Sequence, residues 1–237
     1  MVATTTVLKD AKIALRGADL SGISNQVALN LGVNTENSNA FGSDFEIFSP
    51  TLLTVGGSIS GFYGPDTGDA EFFSQLGLSG VLAAIAQAST LGSRAYIFKG
   101  TFSSNENSAS HGEILKYSMD FSGAEGPIGG TLMEASTFSS VGAGTGRQLG
   151  AVGAAQTLHA QLHVTSVTGG TPSLAAKIES DAAANFATPT DRIIFDVTTV
   201  AGAQRKSVVG AITDDWFRLN ITAITGTFDL VLVLAIQ

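Results

Sequence analysis

Two histidines four residues apart, His159 and His163, come nearest to a chemical motif in this chain. On a helix that spacing puts both imidazoles on one face, where they could share a metal ion. Here Leu158, Ala160, Leu162 and Val164 alternate with His159, Gln161 and His163, which is the period of a strand. Four residues along a strand span roughly 13 Å, too far for one ion. The expectation is a pair of solvent-facing polar positions, and His111, in a polar tip, needs no role. Asp214 and Asp215 form the best acidic pair. Half of a calcium site and a turn ahead of a strand both account for it, and the turn is preferred. Trp216 beside Phe217 reads as core or rim packing rather than a sugar platform. The run Gly142-Ala-Gly-Thr-Gly146 lacks the Lys-Ser/Thr ending of a phosphate loop and opens no helix. Asn220-Ile-Thr222 matches a glycosylation sequon by chance, inside a predicted strand. No Ser/His/Asp order, His-Glu-x-x-His motif or nucleophile elbow is present. The chain is therefore expected to be no enzyme, with no catalytic residues, metal site or cofactor.

Composition narrows the class further. There are no cysteines, which excludes disulfides, zinc–thiolate sites and thiol nucleophiles. Charged residues make up only 14% against 44% hydrophobic, with 28 glycines. That balance suits a β-rich protein that buries surface against neighbours. The opening Met-Val-Ala-Thr-Thr-Thr lacks the basic and apolar parts of a signal peptide, so synthesis in a cytoplasm is expected. No apolar run approaches the ~20 residues that span a membrane as a helix. The net charge of −8 is lopsided, with 13 acidic and 6 basic residues in the first 141. A protein that grips phosphates needs the opposite.

The elements that would position these residues are mostly strands. The clearest helix signal is 69–76, Asp-Ala-Glu-Phe-Phe-Ser-Gln-Leu. Thr67 or Asp69 can cap it, Ala70, Phe73 and Leu76 share a face, and Gly77 can stop it in the left-handed conformation. Strands are predicted at 12–16, 27–33, 52–63, 81–87, 94–102, 114–121 and 128–134. A short one is expected at 45–48. Residues 34–43 read as an exposed polar loop, and 122–127, Ser-Gly-Ala-Glu-Gly-Pro, as a turn. Residues 142–153, rich in glycine, read as a linker. A second β run follows, with strands at 158–167, 174–178, 193–200, 206–209, 216–224 and 228–236. Turns are expected at 169–172 and 225–227. Regular short strands with turn chemistry predict a β-sandwich there.

The first 135 residues resemble the tail tube (major tail) proteins of long non-contractile-tailed bacteriophages. The resemblance rests on Lys12-Ile-Ala-Leu-Arg-Gly-Ala-Asp-Leu-Ser-Gly22, then the polar loop ending Ala40-Phe-Gly-Ser43, then the strand ending Ser-Gly-Phe62. The short helix, the Tyr96 strand, Gly112-Glu-Ile-Leu-Lys-Tyr-Ser118 and Gly129-Gly-Thr-Leu132 follow in order. The last 80 residues look like the extra sandwich that some such proteins append. The implied fold is mainly β. It comprises an N-terminal tail-tube-like β-barrel or sandwich with one short α-helix (1–141), the linker (142–153) and a C-terminal antiparallel β-sandwich (154–237) on the tube exterior.

The resemblance implies stacked, hexameric rings in a virion tail. Their partners are other copies, tail proteins such as tape measure, tail terminator and distal tail protein, and DNA passing without specific binding. No membrane anchor is expected. An acidic lumen would let DNA slide, and Glu36, Asp44, Glu46, Glu113, Asp120 and Glu134 are candidates to line it. Asn34, Asn37, Phe41, Asp44 and Phe45 are candidates for contacts between rings, since a long polar loop is commonly functional. Residues 1–8 could add a strand to a neighbour. Asp214, Asp215 and Trp216 are candidates for the exterior surface. The rival readings are a glycan- or receptor-binding sandwich, and a capsid decoration or head–tail joining protein.

Overall fold

A computed structural model describes residues 10–39, 45–46, 48–63 and 74–237. The described residues hold thirteen strands. In order they are β1 (Lys12–Leu15), β2 (Ala18–Asp19), β3 (Ser24–Asn37), β4 (Phe48–Phe62), β5 (Val81–Ala86), β6 (Arg94–Ser108) and β7 (Lys116–Phe138). Then come β8 (Gly142–Ala143), β9 (Arg147–Gln148), β10 (Thr157–Asp181), β11 (Thr190–Ile194), β12 (Gly202–Val209) and β13 (Trp216–Ile236). The mainly β expectation holds. Of the predicted helix, 69–73 lie outside the described residues. Ser74 and Gln75 are helical, and Gly77 has φ 78°, the left-handed stop. The N-terminal arm 1–8 and the helix-cap candidates Thr67 and Asp69 also lie outside.

The chain divides into two compact units that interleave in sequence. Unit 1 is Met1–Gly22, Leu82–Ile97 and Ile128–Gln237, and unit 2 is Ile23–Val81 and Phe98–Pro127. This division falls elsewhere than at the glycine-rich stretch 142–153. That stretch is also no free linker. β8 and β9 both pair with β13, Gly144 N–H donates to Leu219 O, and Leu149 N–H donates to Asp215 O. Its glycines permit close contact as well as flexibility, and composition cannot tell the two apart.

Unit 1 is organised on the antiparallel pair β10–β13, in register from Leu158↔Ile236 to Asp181↔Trp216. The predicted turns at 169–172 and 225–227 do not end these strands. They face one another, with Thr168↔Thr227 and Ser173↔Thr225 in register on either side. Gly169 (φ 131°) and Gly226 (φ 90°) meet there, so closely that a Cβ on Gly169 would lie 3.0 Å from the Gly226 Cα. Two turn signals thus make one shared irregularity in a long ribbon. In the same way 122–127 continues β7 rather than turning it. Gly123 leaves room for Val55, whose Cβ would be 2.6 Å from an added Cβ.

Both faces of β10–β13 are covered within unit 1. Leu158, Ala160, Leu162, Leu230, Leu232 and Leu234 join a core with Ile193, Phe195, Ile212 and Phe217. Val231, Val233 and Ala235 point the other way and pack with Ala14, Ala84, Ala86, Ala95 and Ile97. A strand covered on both faces needs no polar alternation, which is why 230–236 is continuously apolar. It also overturns the solvent-facing reading of the histidines. His163 is fully buried and His159 half-buried. Gln161 Nε2 donates to Ala83 O at 2.8 Å and lies 2.8 Å from His163 Nε2. With the amide donating to both, the neutral imidazole carries its proton on Nδ1. Burial pushes the His163 pKa down to about 3.

A candidate assembly surface

Unit 2 contains a sheet in which β4 lies between β3 and β7, all antiparallel. Its inner face is built by period-2 alternation. Ile59 opposes Val27 and Met119, and Gly57 opposes Leu29 and Phe121. A Cβ on Gly57 would meet the Phe121 ring at 2.7 Å, so the two strands approach closely at this glycine. Phe121 stacks on Phe98 (centroids 4.8 Å apart) and tilts against Phe102 (5.8 Å). Tyr117 closes the core, its hydroxyl 2.7 Å from Ser24 Oγ.

The opposite face is polar. In register across the three strands lie Gln26–Ser60–Ser118, Ala28–Ser58–Asp120 and Asn30–Gly56–Ser122. Asp120 is exposed and accepts a 2.7 Å bond from Ser104 Oγ. Between these rows the face is made of hydroxyls and amides with the Asp120 carboxylate, and among the described residues its cation is Lys116, at the start of β7 opposite Phe62. Lys99, on β6, is paired with Glu125 at 2.6 Å.

Beyond Asn30 and Gly56 the β3–β4 ribbon loses its cover. Val27 and Leu29 are half-buried, but Leu31 is 59% exposed, Val33 47%, Leu52 72% and Phe48 55%. The apolar alternation of β3 therefore continues past the point where the chain itself can bury it. A bulge between Val33↔Leu53 and Thr35↔Pro50 sits in this stretch. β3 pairs only with β4 among the described residues, which leaves its other edge open along fourteen residues. Ser24–Asn37 holds no proline and no charge before Glu36, and between its two register shifts this edge is unpaired among the described residues.

The candidate residues fall out unevenly. Glu36, Glu46, Glu113 and Asp120 are exposed and belong to unit 2. Glu36 lies on β3 by alternation with Gln26, Ala28 and Asn30, hence on the polar face with Asp120. Glu134 is corrected: it is 5% exposed in unit 1, accepting from Ser136 Oγ at 2.7 Å, and cannot line a channel from there. Asn34, Asn37 and Phe45 are exposed, with Asn34 and Asn37 inside β3 rather than in a loop. Phe41 and Asp44 lie outside the described residues.

No protein-family model matches the chain, and no curated protein matches it. Among solved structures it is similar to a chain of the virion of a native gene transfer agent particle, at 13% identity and TM-score 0.41. The match covers 52% of this chain and 97% of that one. It is similar to the SPP1 tail tube at 11% identity and TM-score 0.41, covering 51% and 76%. The SPP1 Dit protein, described as a hub adsorption apparatus of phages infecting Gram-positive hosts, matches at 10% identity and TM-score 0.38, covering 97% and 100%. At such scores and identities the likeness assigns this chain neither a family nor an activity.

The other candidates sit in unit 1 and are occupied structurally. Asp214 accepts from Ser180 Oγ at 2.6 Å and from Arg192 at 2.8 Å, and these bonds hold its carboxyl below the usual range. Asp215 accepts from Gln148 Nε2 at 2.6 Å. Trp216, pairing with Gln148, is half-buried and offers no open aromatic platform. No cluster of three metal-ligating side chains occurs among the described residues. No described helix is long and apolar enough to cross a membrane.

Proposed function

We propose that this chain is a structural subunit of a bacteriophage tail, closing into rings that stack as a tube through which DNA passes. The carrying observation is the unit 2 sheet. It combines a fourteen-residue edge unpaired among the described residues, an inner face buried around Ile59, Met119 and Phe121, and a polar outer face of hydroxyls, amides and carboxylates. An open edge of this kind is completed by a strand of another chain. Repeating that head-to-tail contact with a fixed rotation closes a ring. The polar faces then form the wall, and hydroxyls and amides there bond water while carboxylates repel phosphate. That repulsion reaches about 8 Å at physiological salt, so only wall residues count.

In this reading the rings are hexameric, as the sequence resemblance implies. Glu36, Glu46, Glu113 and Asp120 serve the lumen, and the ribbon serves ring stacking. Its partners are further copies, then tape measure, terminator and distal tail proteins at the tube's ends. The protein resides in the virion and works without cofactor or catalysis. Negative-stain electron microscopy of the purified, concentrated chain tests this. Hollow rings or tubes are expected, and monomers or trimers at every concentration and salt would overturn it.

A further inference from the structure

The unit 2 sheet carries two uncovered apolar patches at opposite ends of one strand. At the start of β4 lie Phe48 and Leu52, with Leu31 and Val33 across the ribbon. Where β4 ends, Phe62 (42% exposed) lies beside Ile114 (66%) and Leu115 (37%), tied by Tyr63 N–H donating to Leu115 O. Each patch has a charge at its border, and both charges lie on the polar face. Glu36 is opposite Ser49 at the first end, and Lys116 is opposite Phe62 at the other. Neither has an ion-pair partner among the described residues.

We propose that these ends are the two halves of one axial joint: the ribbon end of one copy seats on the Phe62–Ile114–Leu115 end of the next, with Glu36 reaching Lys116 across the seam. The inference rests on the ring reading above and supplies what that reading lacks, the receiving surface. The occupant is a second copy because the complementary halves, acid with apolar and base with apolar, lie on one chain. Being different surfaces, they make a heterologous contact that repeats without closing, which builds a filament. Apolar burial supplies the adhesion, while an exposed ion pair contributes little energy but fixes register and partner. The pairing also neutralises the cation on the polar face, Lys116. From Ser49 to Phe62 β4 is thirteen steps, so the axial repeat is at most about 43 Å.

The test is the purified full-length chain, scored for rings and stacked rings by electron microscopy. Lys116→Glu should give single rings with at least a tenfold loss of stacks, and adding Glu36→Lys to the same chain should restore them. Ile114→Ser, at a position that adds nothing to the subunit's core, should also give unstacked rings with an unchanged unfolding midpoint. Stacking by Lys116→Glu at the wild-type level, or no rescue in the double reversal while rings persist, would overturn the joint alone. Wild-type protein that forms no rings at all would overturn the ring reading and the joint with it.

Discussion

In unit 1 the apolar residues of β10 and β13 are covered on both faces, whereas in unit 2 the alternation Val27, Leu29, Leu31, Val33 runs out of cover half-way along β3. The charges differ in the same sense. Glu179, 2% exposed, is held by Lys177, Arg218 and Asn220 at 2.6–3.0 Å, and Asp214 by Ser180 and Arg192. Glu36 and Lys116 form no ion pair among the described residues. These unit 1 carboxylates are thus paired within the subunit, whereas among the described residues the two unit 2 charges are not. Stability and assembly should therefore separate by position, and mutations can ask whether they do.

The sharpest break is in the two-faced strand. Leu232, fully buried, loses its transfer energy and leaves a cavity when cut to Ala, and Leu232→Ala should cost about 2–5 kcal/mol. Denaturant unfolding reads this, and a cost under about 1 kcal/mol would mean that unit 1 is not the close-packed region described.

Acid should come next, acting on unit 1 through His163. Its folded pKa, about 3, lies below the ordinary value of 6.5. The unfolded chain therefore binds the extra proton between those values, and stability rises with pH across that window. Lowering the pH from 6.5 to 4.5 should remove roughly 2–3 kcal/mol, at about 1.4 kcal/mol per unit. His163→Leu should flatten this slope. The lowered carboxyls of Asp19, Glu179 and Asp214 act lower down: their contribution is present above the unfolded value near 4 and is lost below it. A wild-type slope above pH 4.5 that survives in His163→Leu would refute the assignment.

A middling effect is expected where unit 1 pins its surface. Asp214→Ala leaves the half-buried Arg192 without its carboxylate and should cost on the order of 1 kcal/mol in unfolding free energy, with rings unaffected. The smallest stability change belongs to the ribbon. Leu31→Ser with Leu52→Ser should leave unfolding within about 0.5 kcal/mol, yet abolish stacking by sedimentation. Destabilisation of several kcal/mol instead would show that the ribbon is already part of a subunit core.

Much of this was legible in the sequence where local pattern and burial agree. The strands at 27–33, 52–63 and 81–87 and the Gly77 stop follow from alternation and turn chemistry. The misreadings share one cause. Gly, Pro and Ser at 122–127, 169–172 and 225–227 signal chain reversal locally, but partner strands override them. At 161–163 alternation marks the second face of the strand but cannot report that a distant layer, carrying Ala83, covers it. Glu134 failed for the same reason. The continuous apolar run 230–236 was the available clue to two-sided cover. The receiving patch was missed because Phe62, Ile114 and Leu115 come together only through the pairing of β4 with β7.

Gly169 and Gly226 tie two distant parts of the chain together in their inheritance. Positive φ holds both to glycine; the Gly226 backbone occupies the space a side chain on Gly169 would need, and Thr168 O and Pro172 occupy that of a side chain on Gly226. A mutation at Gly169 cannot be rescued by a second mutation at Gly226, because Gly226 is already the smallest residue. Escape lies in changing length, by deleting residues from 169–172 so that β10 matches β13 one for one. Diverged versions of this chain should therefore differ here by insertions and deletions, while keeping glycine at both positions wherever the length is kept.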